Sequence, residues 1–190
     1  MMKRLFFALD IDDATRGRII SASESLRSLS GKINWTKPQN LHVTMNFIGD
    51  TPEEQITELS ELATEAVGRW GAGGDGVTFT VGPLICFPPG RRAKMIWAPV
   101  SRGADATSSL HSALNQALAD NGWPSESRPF KGHVTVARIK AADLANAVKQ
   151  LPGGDLGQVT ARELTLYQST LMHTGPIYSP LVRIPLTQRG

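Results

Sequence analysis

Two short stretches, His42-Val43-Thr44-Met45 and His133-Val134-Thr135-Val136, decide how this chain is read. Each lies on an apolar run with the composition of a β-strand. Successive side chains of a strand alternate faces, so the His and Thr of each copy project to one side while the apolar residues point to the other. Each copy then presents one imidazole beside one hydroxyl. If the two strands lie side by side, they build a symmetric site with two titratable bases and two neutral hydrogen-bond donors. That set suits an in-line displacement at phosphorus, in which one imidazole takes a proton while the other gives one.

Outward from the first copy, a turn at Lys37-Pro38-Gln39-Asn40 leads into a strand from Leu41 to Ile48, closed by Gly49-Asp50. Upstream, Arg4 to Leu9 reads as a buried strand, and Asp12 to about Leu29 as a helix capped by Asp12 or Asp13. Downstream, Thr51 is placed to cap a second helix, with Pro52 at its first position and Glu53 and Glu54 in its first turn. Ile56, Leu59, Leu62, Ala63, Ala66 and Val67 keep helical spacing there. A break from Gly71 to Gly76, a strand from Val77 to Ile85, a turn at Pro88-Pro89-Gly90 and a strand from Lys94 to Val100 follow.

The order then begins again. Met95 to Val100, followed by Ala104-Asp105-Ala106-Thr107 and a helix to about Asp120, echoes Phe6 to Leu9 followed by Asp13-Ala14-Thr15 and its helix. A loop from Trp123 to Phe130, the second motif strand, a short helix from about Ala142 to Leu151 and strands near Val159–Gln168 and Ile177–Leu186 complete the chain. Ala8 precedes His42 by 34 positions and Ala98 precedes His133 by 35, with 91 between the two histidines. These spacings predict a duplicated unit, roughly 1–93 and 94–190, in one domain over 1–190.

The chain has 190 residues, 41% hydrophobic and 19% charged, with a formal net charge of +3. That balance permits a polyanionic partner without requiring one. The single cysteine, Cys86, allows no internal disulfide and no cysteine-rich zinc site, which points to a reducing, cytoplasmic setting. The apolar run Leu5 to Leu9 ends at Asp10, too short for a signal peptide, and no segment approaches the roughly 20 apolar residues of a membrane span. A zinc site is the competing use of two histidines, but no carboxylate or third histidine stands at a convincing spacing, so neither metal nor other cofactor is expected. Gly71-Ala72-Gly73-Gly74-Asp75-Gly76 fits G-x-G-x-x-G literally, yet it follows a helix and precedes a strand, the reverse of a dinucleotide site. Asn34-Trp35-Thr36 is a glycosylation sequon without a secretory signal to use it.

A wider set of residues carries a resemblance. Arg4-Leu5-Phe6-Phe7-Ala8-Leu9, Trp35, Pro38 to Thr44, Phe47-Ile48-Gly49, Arg128-Pro129-Phe130, His133 to Arg138 and Gly175-Pro176-Ile177-Tyr178 resemble the bacterial RNA 2′,3′-cyclic phosphodiesterases, once called 2′-5′ RNA ligases, of the two-histidine phosphoesterase superfamily. Lys131-Gly132 before His133, where that family often has a proline, is expected to change a loop rather than the chemistry. The resemblance implies a bilobal α+β fold, with two antiparallel sheets lining a central cleft and helices outside. It implies hydrolysis of RNA 2′,3′-cyclic phosphate ends, those of transfer RNA fragments among them, to 2′-phosphomonoesters. No metal and no obligate protein partner is implied, and reversible 2′-5′ joining is open to the same site. By analogy His42 is the acid for the departing ribose oxygen and His133 the base for water, with Thr44 and Thr135 donating to the non-bridging oxygens. The paired roles predict a bell-shaped pH dependence near neutrality.

A small cyclic or 2′-5′-linked nucleotide is an alternative substrate, and a nucleotide-binding module without turnover is a third reading. His111 reads as a half-buried structural residue and His173 as a turn residue. Arg91, Arg92 and Lys94 form one basic group and Arg128, Lys131, Arg138 and Lys140 a second, either solvated or tracking phosphate. Tyr178 either meets the site or packs the last strand.

Overall fold

A computed structural model of the chain describes residues 1–28, 31–71, 75–141, 145–151 and 153–186. Leu29, Ala72 to Gly74 and 142–144, at the expected helix end, break and helix start, lie outside the described residues. The elements in order are β1 (Met2–Asp10), α1 (Asp13–Arg27), β2 (Lys32–Trp35), β3 (His42–Pro52), α2 (Ile56–Trp70), β4 (Val77–Val81), β5 (Ile85–Phe87), β6 (Met95–Arg102), α3 (Ala104–Asp120), β7 (His133–Ala141), α4 (Ala145–Lys149), β8 (Gly157–Ala161), β9 (Glu163–Met172) and β10 (Gly175–Pro185).

The fold is α+β, with an antiparallel sheet curled across two lobes. One lobe runs β10-β9-β1-β3 and the other β7-β6-β4-β8, with β2 on β7 and β5 on β6. The lobes join at a single pair, Val43 opposite Val134, the central residues of the two motifs. Beyond it β3 leaves β7, and β2 takes over that edge from Trp35 opposite Ala137 to Lys32 opposite Ala141. The expected two sheets therefore meet as one path hinged at the motifs, and a groove opens where the strands part. Residues alternating with the motif His and Thr, among them Val43, Met45, Val134 and Val136, join Ile19 and Leu26 of α1, Leu59 and Ala63 of α2 and Leu110 and Leu114 of α3 in one buried core. The helices thus cover the face opposite the groove.

Each lobe draws on both halves of the chain. β4 and β5, from the first half, pair with β6, whereas β9 and β10 return to the first lobe, where β9 pairs with β1. The single strand expected over Val159–Gln168 is accordingly two: β8 ends at Ala161, and β9 starts at Glu163 in the other lobe. The strand expected over Val77–Ile85 is also broken, because Pro83 has no ladder donor to give and the Gly82 amide turns aside to the Pro99 carbonyl, at 2.7 Å.

Asp12 caps α1 as expected, its carboxylate accepting from the Thr15 amide at 2.7 Å. Thr51 caps nothing. β3 continues through Gly49, which carries φ +92 at a register shift, to Pro52 opposite Met2. A 3-10 turn, Glu53–Gln55, then precedes α2, and Lys3 pairs with Glu53 at 2.7 Å. The longer ladder with the start of β1 outweighs a local cap here.

Candidate active site

The four motif residues come together in one groove of about 730 Å³. Antiparallel pairing of Val43 with Val134 brings the two motifs against each other, so that both imidazoles and both hydroxyls line the same groove. Both rings are held the same way. His42 Nδ1 lies 2.8 Å from the Asn40 carbonyl and His133 Nδ1 lies 2.7 Å from the Lys131 carbonyl, in each case two residues back. A carbonyl only accepts, so Nδ1 carries the proton and donates, and the lone pair of the neutral ring is left on Nε2. His42 Nε2 is 2.9 Å from Thr44 Oγ1, which donates to it while the ring is neutral. In the Lys131-Gly132 stretch, a Cβ on Gly132 would sit 3.0 Å from a Val100 methyl, a tight contact beside the second motif.

A β-bulge follows each motif at the same place. Ala8 faces Thr44 and Phe7 faces Asn46, leaving Met45 as the extra residue; Trp97 faces Thr135 and Ile96 faces Ala137, leaving Val136. The bulge places two consecutive residues toward the core and returns the next side chain to the groove face. Phe47 and Arg138, each five positions after its histidine, are thereby brought into the groove. Phe47 is 60% exposed, a large apolar ring in contact with water. Phe47 enters the sequence analysis only through the resemblance and Arg138 only as one of a basic group, although their equal offset from His42 and His133 is a signal in the sequence.

The walls differ between lobes. His42 stacks against Phe6 at 5.1 Å and meets the edge of Tyr178 at 5.4 Å, and Tyr167 stacks on Phe6 at 5.5 Å. Behind it Asp10, the Cα partner of His42, accepts a hydrogen bond from the Tyr167 hydroxyl at 2.8 Å. His133 instead lies on Trp97 at 3.6 Å, and Trp97 on Phe87 at 3.7 Å, a three-ring stack. Burial pushes His42 down to about 4, opposed by its bond to Asn40 and by the Asp10 charge. Burial also lowers His133, against its bond to Lys131 and assisted by Arg138. Burial likewise raises the Tyr178 hydroxyl, with Arg138 and Arg4 pulling it back.

The groove is cationic. Arg4, Lys37, Arg128 and Arg138 line it together with His173, and among the described residues its lining contains no carboxylate. Arg128 is held by both oxygens of Glu126, at 3.2 and 3.1 Å. Arg91, Arg92 and Lys94 lie outside the lining, on the turn between β5 and β6. Tyr178 belongs to the site. His111 is buried, bonds the Met45 carbonyl at 3.0 Å and stacks on Phe130, a structural residue as expected. Among the described residues no group of three or more His, Cys, Asp or Glu could hold a metal ion, and no helix is long and apolar enough to cross a membrane.

Comparison with known proteins agrees with this architecture. Residues 18–171 match the family model of the 2′-5′ RNA ligase superfamily. The RNA 2′,3′-cyclic phosphodiesterase of Archaeoglobus fulgidus is 29% identical over 94% of this chain and 97% of its own. That of Aquifex aeolicus is 32% identical over 76% of this chain and 77% of its own. In three dimensions the chain is similar to Escherichia coli LigT complexed with 3′-AMP, with a TM-score of 0.78 and 25% identity over 99% of this chain and 100% of that one. With the model spanning most of its length, the chain belongs to the 2′-5′ RNA ligase superfamily.

Proposed function

We propose that the protein is a metal-independent RNA 2′,3′-cyclic phosphodiesterase that opens the cyclic end to a 2′-phosphomonoester. The observation that carries this reading is the pair of imidazoles pinned through Nδ1 to backbone carbonyls, each with Nε2 as its working nitrogen, in a groove lined by cations. Water is a poor nucleophile until it loses a proton, and the ribose oxygen a poor leaving group until it gains one. Two positioned imidazoles supply both transfers.

The electrostatics support a division of roles. Burial favours the neutral form of both rings, and a phosphodiester anion between them draws a proton onto one. Asp10 favours that proton on His42, while Arg138 disfavours it on His133. His133 Nε2 therefore takes the proton of the attacking water as the new P–O bond forms. His42 Nε2 delivers its proton to O3′ as the P–O3′ bond breaks. Thr44 and Thr135 donate to the non-bridging oxygens, and Arg138 offsets the charge that builds there.

The relatives named as RNA 2′,3′-cyclic phosphodiesterases support the substrate class, and the cations of the groove fit a nucleic-acid backbone. The cytoplasm is the compartment we assign, in keeping with a chain that has a single cysteine. The test is to incubate chelator-treated protein with a short RNA ending in a 2′,3′-cyclic phosphate and to identify the product isomer. Conversion to the 2′-phosphate at an undiminished rate is expected. Loss of turnover on chelation, restored by added metal, contradicts metal independence, and a 3′-phosphate product contradicts the assigned leaving group.

A further inference from the structure

We infer that the groove continues past the reaction centre as a track for the body of the RNA, in which Lys32 on β2 and Lys140 on β7 hold backbone phosphate upstream of the reacting end. The inference rests on the phosphodiesterase reading above and adds where the rest of the substrate lies.

Strand parity places these two residues. Arg138 and Asn34 are Cα partners in the β2–β7 ladder and both line the groove. The ladder slips between Ile33 and Lys32, leaving Lys140 as the extra residue on β7. At the slips after Thr44 and Thr135, the extra residue keeps the alternation of the residue before it: Met45 and Val136 are buried behind half-exposed threonines. The same rule turns Lys140 away from Ile139, which packs on the core, and onto the face of Arg138. On β2, Ile33 packs on the core while Lys32 and Asn34 are exposed on the other face. Lys32 stands opposite Ala141 and so beside Lys140. Two residues of strand carry Lys140 about 7 Å beyond Arg138, within the reach of one nucleotide.

Charge supports the same path. Lys3, Arg16, Arg27, Arg102, Arg128 and Arg183 are each paired with a carboxylate. Among the described residues Lys32 and Lys140 have no such partner, and neither has Arg4, Lys37 or Arg138 in the groove. Exposed carboxylates gather instead on α2, with Glu58, Glu61 and Glu65, on the covered side of the sheet. Two adjacent ammonium groups repel weakly in water, and a phosphate between them reverses the sign. An ammonium is a point charge that takes phosphate without reading a base, so this track is tolerant of sequence and sensitive to salt.

The experiment compares kcat/KM on 2′,3′-cyclic AMP and on an RNA of about ten nucleotides ending in a 2′,3′-cyclic phosphate, across a salt series. The proteins are the full chain, the double variant Lys32→Gln/Lys140→Gln, and Arg69→Gln on the exposed side of α2 as a charge control. The double variant is expected to lose roughly fivefold on the oligomer at low salt while staying within about twofold of the parent on the mononucleotide. Its slope of log kcat/KM against log salt on the oligomer should shrink by about 1.4. The control should leave both substrates unchanged. An unaltered oligomer rate and slope, equal losses on the two substrates, or an equal loss in the control overturns the track while turnover of the mononucleotide leaves the phosphodiesterase reading standing. No turnover of either substrate by the parent protein overturns both.

Discussion

Asp10 and His42 face each other as Cα partners across β1 and β3, whereas the corresponding partner of His133 across β6 and β7 is Pro99. The two-fold pattern of the motifs is thus broken by one carboxylate, held by the hydroxyl of Tyr167.

Replacing Asp10 by Asn keeps the shape and removes the charge that favours the protonated form of His42. The limb of the pH–rate profile set by His42 should move to lower pH by up to about one unit, with kcat affected more than KM. Because the Tyr167 hydroxyl retains an amide oxygen to donate to, stability should change by only about 1 kcal/mol. A profile superimposable on that of the parent protein would show that the carboxylate serves packing alone.

Both imidazoles are held below the ordinary histidine value by burial, His42 at about 4. In the proposed mechanism the base must be neutral and the acid protonated, so lowering both groups moves both limbs of the kcat/KM profile to the acid side. The optimum on the free enzyme should lie below 6.5 rather than at neutrality, and kcat should peak at higher pH because the substrate's charge raises the proton affinity of its neighbour. An optimum in kcat/KM above pH 7 contradicts the burial seen here.

The same shift predicts how stability follows pH. A histidine that is neutral in the fold but titrates near 6.5 when unfolded contributes its full stability above 6.5 and loses it as pH falls toward its folded value. For His42 the loss approaches about 3 kcal/mol by pH 4. Urea midpoints between pH 4 and 7 should rise with pH, and His42→Asn, which keeps a donor toward the Asn40 carbonyl, should flatten that slope. Identical slopes in the two proteins contradict it.

Much of this site was legible in the sequence because its signals are local. The alternation of His42, Val43 and Thr44, and of His133, Val134 and Thr135, needs only a strand to put imidazole and hydroxyl on one face. The Asp12 cap is equally local. What sequence did not disclose depends on pairing at a distance. β3 runs to Pro52 because Met2 lies beside it, and Val159 to Gln168 is divided because its two ends pair with β4 and β1 in different lobes. Phe47 and Arg138 enter the groove only because each strand slips by one residue beforehand, and a bulge has no composition of its own to read.

Gly103 joins β6 to α3 with φ +73, and a Cβ there would lie 2.3 Å from the Thr78 carbonyl oxygen. Gly103→Ala should therefore destabilise by at least about 2 kcal/mol, through left-handed backbone strain and a backbone clash together. Chemical denaturation measures it. A change within about 0.5 kcal/mol would mean that the β6–α3 corner adjusts freely.

The central claim is that two imidazoles, one from each motif, share the proton transfers at phosphorus. Its most direct measurement is single-turnover cleavage of an RNA 2′,3′-cyclic phosphate end by the parent protein, His42→Ala and His133→Ala, each first shown by circular dichroism and urea denaturation to be folded. Each substitution should slow the chemical step by on the order of 10²–10⁴, with both folds intact. A folded variant of either kind that retains the parent rate within about tenfold contradicts the paired-histidine mechanism.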